Sequence, residues 1–101
     1  MIVKVNFQTA KRILDKPQSV IVDVREEEEY CTGHAKDAVL LPVDEITAES
    51  AAEVLPDKDA PVLVYCRSGR RSALAAQKLQ ALGYTKLYDV GSLVGWPYGL
   101  E

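Results

Sequence analysis

The residues best suited to chemistry are concentrated in the stretch CRSGRRS at 66–72, where one cysteine lies among three arginines, a glycine and two serines. Positive charge close to a cysteine favours the thiolate, which is the nucleophilic form. Gly69 allows the backbone to curl so that several N–H groups point at one centre, an arrangement that binds small anions. The stretch therefore predicts a nucleophilic sulfur in an anion-binding pocket.

The position of this stretch in the chain supports the same interpretation. It follows the apolar run PVLVYC (61–66) and precedes SALAAQKLQALGY (72–84), which has the strongest helical period in the sequence. In α/β proteins, ligands bind where a strand turns into the next helix, and the N-terminus of that helix carries a partial positive charge. A thiolate or a bound anion would be stabilised at this turn.

A structural explanation also exists for each part of the stretch. A lone cysteine after a strand is more often a small buried hydrophobe, and a run of arginines is usually a solvated face. Catalysis is favoured here because cysteine, glycine and arginines coincide at one strand-to-helix turn. We therefore predict Cys66 as the catalytic residue and the six residues after it as the substrate-binding loop, namely Arg67, Ser68, Gly69, Arg70, Arg71 and Ser72.

The elements that position this loop can be predicted from hydrophobic periodicity. Short, nearly continuous apolar runs are typical of strands buried on both faces, and longer amphipathic segments are typical of helices. The predicted strands are SVIVDV (19–24), AVLLPV (38–43), PVLVYC (61–66), KLYDV (86–90) and, more weakly, VKVNF (3–7). Besides the helix after the loop, the predicted helices are FQTAKRILDK (7–16), EEEEY (26–30) and TAESAAEVL (47–55), the last with Thr47 as its N-cap. This alternation predicts one α/β domain over 1–101, with a mostly parallel sheet of about five strands between two layers of helices.

Composition narrows the classes of partner and the location. The net charge is −3 and the pI is near 5.1, which argues against nucleic acid because phosphate backbones bind basic faces. No apolar stretch approaches the roughly 20 residues that a membrane span needs, and the N-terminal residues lack the features of a signal peptide. Two cysteines, Cys31 and Cys66, are too few for a disulfide scaffold, so we expect a cytoplasmic protein with reduced thiols.

Three stretches in this order and spacing resemble the single-domain rhodaneses of the sulfurtransferase family. They are DVREEEEYCTGHAKDAVLLP (23–42), VYCRSGRRS (64–72) and GYTKLYDVGSLVGW (83–96), and together they cover nearly the whole chain. Two departures concern loop geometry. The family often has Ile-x-Gly-Ala after Gly-His, where this chain has 35–38 as AKDA, and it usually has two adjacent glycines where Gly91 is followed by Ser92.

The resemblance implies a rhodanese-like three-layer α/β fold and a double-displacement reaction. Cys66 would take the sulfane sulfur of thiosulfate or a similar small anionic donor, release sulfite and carry the sulfur as a persulfide. The backbone N–H groups of 67–71 would hold the persulfide anion. A thiophilic acceptor, either cyanide or a thiol, which includes a protein thiol, would then remove the sulfur. No cofactor and no metal are implied.

Two other functions stay open at this stage. A cysteine phosphatase or arsenate reductase of the same fold uses Cys-x5-Arg, but position 72 is Ser, so the loop is one residue shorter than a phosphate clamp requires. A non-catalytic binding module is the second alternative, because some rhodanese-like domains lack the cysteine. The presence of Cys66 with its arginines argues against this alternative.

Several residues outside the loop have expected roles that are mainly structural. His34 is predicted to pack and to form hydrogen bonds rather than to act as a base, and its Cys-x2-His spacing with Cys31 does not make a zinc site. Cys31 is expected to be a buried or semi-exposed hydrophobe, although it could be a resolving thiol. Asp23 and Arg25 should lie at the rim of the site, with Arg25 paired to Glu29. Trp96 and Tyr98 should pack in the core, with the mouth of the pocket as the alternative position for either ring.

Overall fold

The protein is built around a parallel sheet of five strands, described here in a computed structural model of residues 1–101. The strands are β1 (Ile2–Lys4), β2 (Val20–Asp23), β3 (Val39–Leu40), β4 (Val62–Cys66) and β5 (Leu87–Ser92). Their order across the sheet is β1-β5-β4-β2-β3, and every neighbouring pair is parallel. The predicted α/β sheet is confirmed, and β4, which ends at Cys66, lies in its middle.

Four helices connect the strands, together with a short 3₁₀ turn at Val43–Glu45. They are α1 (Phe7–Leu14), α2 (Glu27–Cys31), α3 (Ala48–Val54) and α4 (Arg70–Ala81). Thr47 caps α3 as predicted, because its side chain accepts a hydrogen bond from the backbone N–H of Ser50 at 3.1 Å. No helix is both long enough and apolar enough to cross a bilayer.

Several element boundaries differ from the prediction, and the differences at α4 and β3 have a clear physical reason. Helix α4 begins at Arg70, whereas the sequence placed Arg70 and Arg71 in the loop; Gly69 caps the helix with a φ of 95°, so the chain enters the helix directly from the turn. The run AVLLPV yields only the two-residue strand β3, because the chain bends at Pro42, which has no N–H to donate to a ladder, and continues as the 3₁₀ turn.

Helices cover both faces of the sheet, and each face has its own hydrophobic core. The alternation of side chains along β4 divides the strand between them: Val62, Val64 and Cys66 face the core with α3 and α4, whereas Leu63 and Tyr65 face the core with α1. The predicted packing of Trp96 is confirmed, since it is buried in the α1 core and contacts Phe7 and Tyr98 edge to face. The Cys66 side chain therefore lies beneath the N-terminus of α4.

Candidate active site

The Cys66 sulfur is enclosed by the turn that leads from β4 into α4. The residue has no solvent-exposed surface. The backbone N–H of Gly69 points at Sγ with an N–S distance of 2.9 Å, and the N–H of Ser72 approaches it at 3.4 Å. Two backbone donors therefore converge on one sulfur atom, as an anion cradle requires.

The geometry of this cradle depends on where α4 begins. The first N–H groups of a helix have no acceptor within the helix, so those of Arg70 and Arg71 are available to a ligand at its N-terminus, and that of Ser72 is directed at the sulfur. The positive φ of Gly69 is the left-handed conformation that a residue without Cβ adopts at no steric cost. Within the predicted range 67–71, Gly69 is the residue whose N–H contacts the sulfur, and Ser72 beyond that range supplies the second contact.

Ser72 is fixed in place by a carboxylate that the sequence analysis did not single out. The Ser72 hydroxyl donates to Oδ1 of Asp89 at 2.7 Å and lies 3.1 Å from the carbonyl oxygen of Gly69. Both Ser72 and Asp89 are buried, so the pair ties the first turn of α4 to β5. An acidic residue inside the apolar run KLYDV was the available signal, because a buried carboxylate needs a partner.

The start of the loop is held by the end of β5. The Leu93 N–H donates to the carbonyl oxygen of Cys66 at 3.0 Å, and the Ser92 hydroxyl donates to the carbonyl oxygen of Arg67 at 2.5 Å. This second bond uses the residue that departs from the family's double glycine, since a glycine at position 92 would have no hydroxyl. The substitution thus supplies a contact to the loop.

The three arginines of the loop have different environments. Arg71 forms a bidentate ion pair with Glu29 of α2, with N–O distances of 2.6 and 2.9 Å. This hydrogen-bonded pair lowers the pKa of Glu29 to about 2 and raises the pKa of Arg71. Arg67 and Arg70 are exposed and form no salt bridge. Two of the three predicted arginine side chains are therefore free to meet an anion.

The predicted ion pair between Arg25 and Glu29 is wrong. Arg25 instead binds Asp23, with its Nη2 2.7 Å from Oδ2, and the same Nη2 donates to the carbonyl oxygen of Gly33 at 2.7 Å. Asp23 is fully buried and also accepts the backbone N–H of Arg25. Because this carboxylate is shielded from water, it is a better partner for the Arg25 guanidinium than Glu29, which is four residues along the chain.

A buried tyrosine completes this second network. The Tyr65 hydroxyl donates to Asp23 at 2.6 Å and accepts the N–H of Ala35 at 3.1 Å. Burial, together with the hydrogen bond to Asp23, raises the pKa of Tyr65, and the hydrogen bond to Asp23 raises the pKa of Arg25. The network joins β2, β4 and the segment before β3 next to the site, where Asp23 and Arg25 were expected to lie.

His34 and Cys31 lie outside the sulfur cradle. Nδ1 of His34 is 3.0 Å from the carbonyl oxygen of Tyr30, and the ring stacks on the Tyr30 ring with centroids 3.7 Å apart, which matches its expected structural role. Cys31 is exposed, so the expectation of a buried or semi-exposed hydrophobe is wrong; the short helix α2 buries none of its residues. No group of three or more metal-ligating side chains is present.

A shallow cavity of about 320 Å³ opens beside the loop, next to Arg67. The apolar part of its wall comes from the segment after β5 and from the C-terminal residues, and the charged part comes from the segment after β2, from α2 and from the loop. The lining residues are Arg25, Glu29, Thr32, Gly33, Arg67, Leu93, Val94 and Leu100. Of the two arginines in the wall, Arg25 is paired with Asp23, which leaves Arg67 as the unpaired one.

The sequence is similar to proteins of one family along most of its length. The family model described as Rhodanese-like domain matches residues 6–97. Thiosulfate sulfurtransferase PspE of Escherichia coli is 39% identical over 72 residues, which cover 71% of this chain and 68% of that protein. The putative sulfur carrier protein YrkF of Bacillus subtilis is 34% identical over 88 residues, which cover 86% of this chain but 46% of that protein, so the chain spans less than half of that relative.

Solved structures show the same fold. A structure described as a rhodanese with anions from E. coli is 34% identical and superimposes with a TM-score of 0.76, covering 82% of this chain and 96% of that chain. A rhodanese-like domain from Anabaena is 22% identical, with a TM-score of 0.86 that covers 100% of this chain and 80% of that chain. The second likeness concerns the fold alone.

Proposed function

The chain belongs to the rhodanese-like domain family, and we propose that it is a sulfurtransferase that moves a sulfane sulfur through a persulfide on Cys66. The donor is thiosulfate or a similar small anion, and the acceptor is cyanide or a thiol, including a protein thiol. The observation that carries the proposal is the convergence of the Gly69 and Ser72 N–H groups on the Cys66 sulfur. The name of the similar PspE protein supports thiosulfate as the donor.

The first half of the reaction loads the sulfur. The Cys66 thiolate attacks the sulfane sulfur of the donor, and an S–S bond forms with Sγ. The S–S bond of thiosulfate breaks, and sulfite leaves with the bonding electron pair. The exposed side chains of Arg67 and Arg70 attract the anionic donor, while the backbone N–H groups of Gly69 and Ser72 hold the reacting sulfur.

The second half of the reaction unloads the sulfur. A cyanide carbon or an acceptor thiolate attacks the terminal sulfur of the persulfide, and the electron pair of the broken S–S bond returns to Cys66 as a thiolate. Between the two steps the persulfide carries a negative charge, which the N-terminus of α4 stabilises. Reduced thiols are required throughout, in keeping with the expected cytoplasmic location.

Access to the sulfur requires movement of the loop. Cys66 is fully buried, whereas Arg67 and Ser68 directly after it are exposed. The proposal therefore includes a local displacement of these two residues when the donor binds, with β4 and α4 remaining in place. Exposed loop residues between two packed elements are where such a displacement costs least.

The side chain at position 72 supports sulfur transfer over phosphate hydrolysis. A phosphatase of this fold would place a phosphate-clamping arginine there, whereas this chain has a buried serine whose hydroxyl is bound to Asp89. The bidentate donor that phosphate recognition uses is absent from that position. Turnover of an aryl phosphate without any turnover of thiosulfate would reverse the assignment.

The direct test is the mass of the intact chain after incubation with thiosulfate. Wild type should gain the mass of one sulfur atom, and the Cys66→Ser variant should gain none. The Cys31→Ser variant is the matched control, because it removes the other thiol of the chain and should load like wild type. Absence of a mass gain in wild type with every sulfane-sulfur donor tried would contradict the proposal and leave the binding-module function.

A further inference from the structure

The cavity beside the loop has an apolar wall that the binding of a small anion does not require. Of the five large apolar side chains that the chain exposes, two line this cavity, namely Val94 at 74% and Leu100 at 62% exposed. Leu93 adds a half-buried side chain to the same wall. Single exposed apolar residues are common on protein surfaces, but apolar residues that share one concave wall indicate a binding surface.

Both of the exposed side chains lie on backbone that hydrogen bonds hold in place. The N–H of Val94 donates to the hydroxyl oxygen of Ser92 at 3.2 Å, and the same hydroxyl donates to the carbonyl oxygen of Arg67 in the loop. Leu100 pairs with Ala35 in an antiparallel β-bridge. The wall is therefore ordered before any partner binds, which lowers the entropy that binding has to offset.

The charged part of the same wall offers a partner one free cation. Arg25 is paired with Asp23, and Glu29 is paired with Arg71, so these charges are cancelled within the chain. Arg67 is exposed and forms no salt bridge. The chain as a whole has a net charge of −3, so this positive charge is a local feature of the wall. An apolar wall with one free guanidinium is complementary to a ligand that combines apolar side chains with a carboxylate.

We propose that the wall formed by Arg67, Val94 and Leu100 is the docking surface for the sulfur acceptor, and that this acceptor is a protein cysteine with apolar and acidic neighbours. The inference rests on the proposed sulfurtransferase function and names the acceptor class of that site. Thiosulfate and cyanide gain little from aliphatic side chains, because the hydrophobic effect scales with the apolar area that is buried. Since Cys66 is fully buried, the acceptor cysteine belongs on a protruding loop or terminus, which reaches further into the site than a flat surface does.

Docking at this wall positions the acceptor for the second half of the reaction. The acceptor thiol loses its proton to water, and the thiolate attacks the terminal sulfur of the Cys66 persulfide. A new S–S bond forms on the acceptor cysteine, the S–S bond to Cys66 breaks, and its electron pair stays on Cys66 as a thiolate. No oxidant or reductant is consumed. Contacts with the wall hold the acceptor near the persulfide and so raise the rate of transfer.

Synthetic thiol peptides test this docking surface. The probe is a capped peptide whose cysteine is flanked on each side by a leucine and then a glutamate; one comparison peptide has serines for the leucines, and the other has glutamines for the glutamates. Wild type is loaded with thiosulfate and freed of the excess, and its loss of one sulfur to each peptide is timed by intact mass. The second-order rate constant for the probe should be about tenfold that for the serine peptide and about twofold to fivefold that for the glutamine peptide.

Variants of the wall connect each preference to its side chain. Val94→Ser combined with Leu100→Ser should remove the preference for leucine, whereas the matched control Val3→Ser, at an exposed valine of β1 outside the cavity, should keep it. Arg67→Ala should remove the preference for glutamate and keep that for leucine. Each result is a ratio of two rate constants measured on one loaded preparation, so a variant that folds less well still gives a valid comparison.

Three results would overturn the docking surface while leaving the sulfurtransferase function intact. The first is an equal rate constant for the three peptides with loaded wild type. The second is a preference for leucine that survives the loss of both Val94 and Leu100. The third is a wild-type dimer, seen by light scattering, that the Val94→Ser, Leu100→Ser variant disrupts, because a second copy of the chain would then occupy the wall. Failure of the proposed function is a separate result, a wild-type Cys66 that gains no sulfur from any donor, and it would remove both proposals.

Discussion

Arg67 and Arg70 are the two loop arginines whose charge is not cancelled by a carboxylate of the chain, and both are exposed. Replacing either by alanine should raise the KM for thiosulfate about twofold to fivefold, the effect of losing one exposed charge contact, with a smaller change in kcat. Steady-state kinetics at low ionic strength measure this. Salt should shrink the difference, because exposed charges are screened.

The control for this prediction is Arg12→Ala. Arg12 is an exposed cation on α1 and forms no salt bridge, so it reports the effect of net charge alone. If the KM of the Arg67 and Arg70 variants rises no more than the KM of the Arg12 variant, these two arginines do not bind the donor.

At the level of single residues, the sequence pointed to Cys66 as a candidate but not to the residues that hold the turn around it. Cys66 could be singled out because a cysteine, a glycine and arginines at a strand end form a local pattern. Asp89 could not be predicted as the partner of Ser72, since the two are 17 residues apart and meet only after β5 has paired with β4. The pairing of Arg25 with Asp23 was missed because burial, which the sequence does not show, decided between two nearby carboxylates.

At the level of secondary-structure elements, the ion pair of Glu29 with Arg71 links α2 to α4, and its contribution to stability depends on pH. The pKa of Glu29 is lowered from 4.5 to about 2 in the folded state, because its carboxylate is hydrogen-bonded to Arg71. The ion pair therefore stabilises the fold fully above the unfolded-state pKa. This stabilisation is lost as the pH falls through the folded-state pKa. Because both side chains are about one-third exposed, the pair should contribute less than about 1 kcal/mol at neutral pH. The free-energy difference between wild type and Glu29→Gln should therefore shrink between about pH 5 and pH 2.

Urea unfolding of both proteins across this range measures the effect. The Glu27→Gln variant should show no comparable pH dependence, because its carboxylate has no ion pair in the folded state. A difference between wild type and Glu29→Gln that is as large near pH 2 as at pH 7 would mean that the pair is not what Glu29 contributes.

The periodicity of the sequence predicted the central elements better than their ends. The apolar run before Cys66 became β4 and the amphipathic segment after it became α4, because each pattern is long and consistent. The start of α4 was missed since Arg70 and Arg71 resemble a solvated loop and place positive charge at the positive end of a helix dipole. The Glu29 carboxylate offsets the charge of Arg71 there, through a contact that only the tertiary fold creates.

For the molecule as a whole, the C-terminal residues close the fold over the segment before β3. His34 and Glu101 exchange both backbone hydrogen bonds, and the Lys36 N–H donates to the carbonyl oxygen of Gly99. Deleting 99–101 removes these bonds and should lower the free energy of unfolding by roughly 1–3 kcal/mol, since a backbone hydrogen bond contributes about 1 kcal/mol net. Urea unfolding of the shortened chain measures the change.

The control for the deletion is Glu101→Gln, which alters the carboxylate bound by the Asp37 N–H but keeps the backbone bonds. Its stability should stay close to that of wild type. An equal loss of stability in both variants would mean that the Glu101 carboxylate, and not the backbone pairing with 34–36, provides the stabilisation.

The overall architecture followed from the alternation of strands and helices, but the order of the strands did not. Alternation predicts a parallel sheet with both faces covered, because a strand returning in the same direction needs a helical connection. The order β1-β5-β4-β2-β3 places the last strand beside the first and Cys66 in the middle of the sheet. The order of the strands depends on how the helices and strands pack against one another in three dimensions. The hydrophobic periodicity of the sequence contains no information about that packing.

The two thiols of the chain occupy opposite extremes of exposure: Cys31 is open to solvent, and Cys66 is sealed at the end of the central strand. An alkylating reagent should therefore label Cys31 at the rate of an unhindered thiol, while labelling of Cys66 waits for an opening of the native state. The ratio of the two rates, read in one sample by mass spectrometry, measures how often the 67–69 turn opens. Cys66 thus reports the opening of the turn, and Cys31 in the same molecule is the internal standard for the labelling reaction.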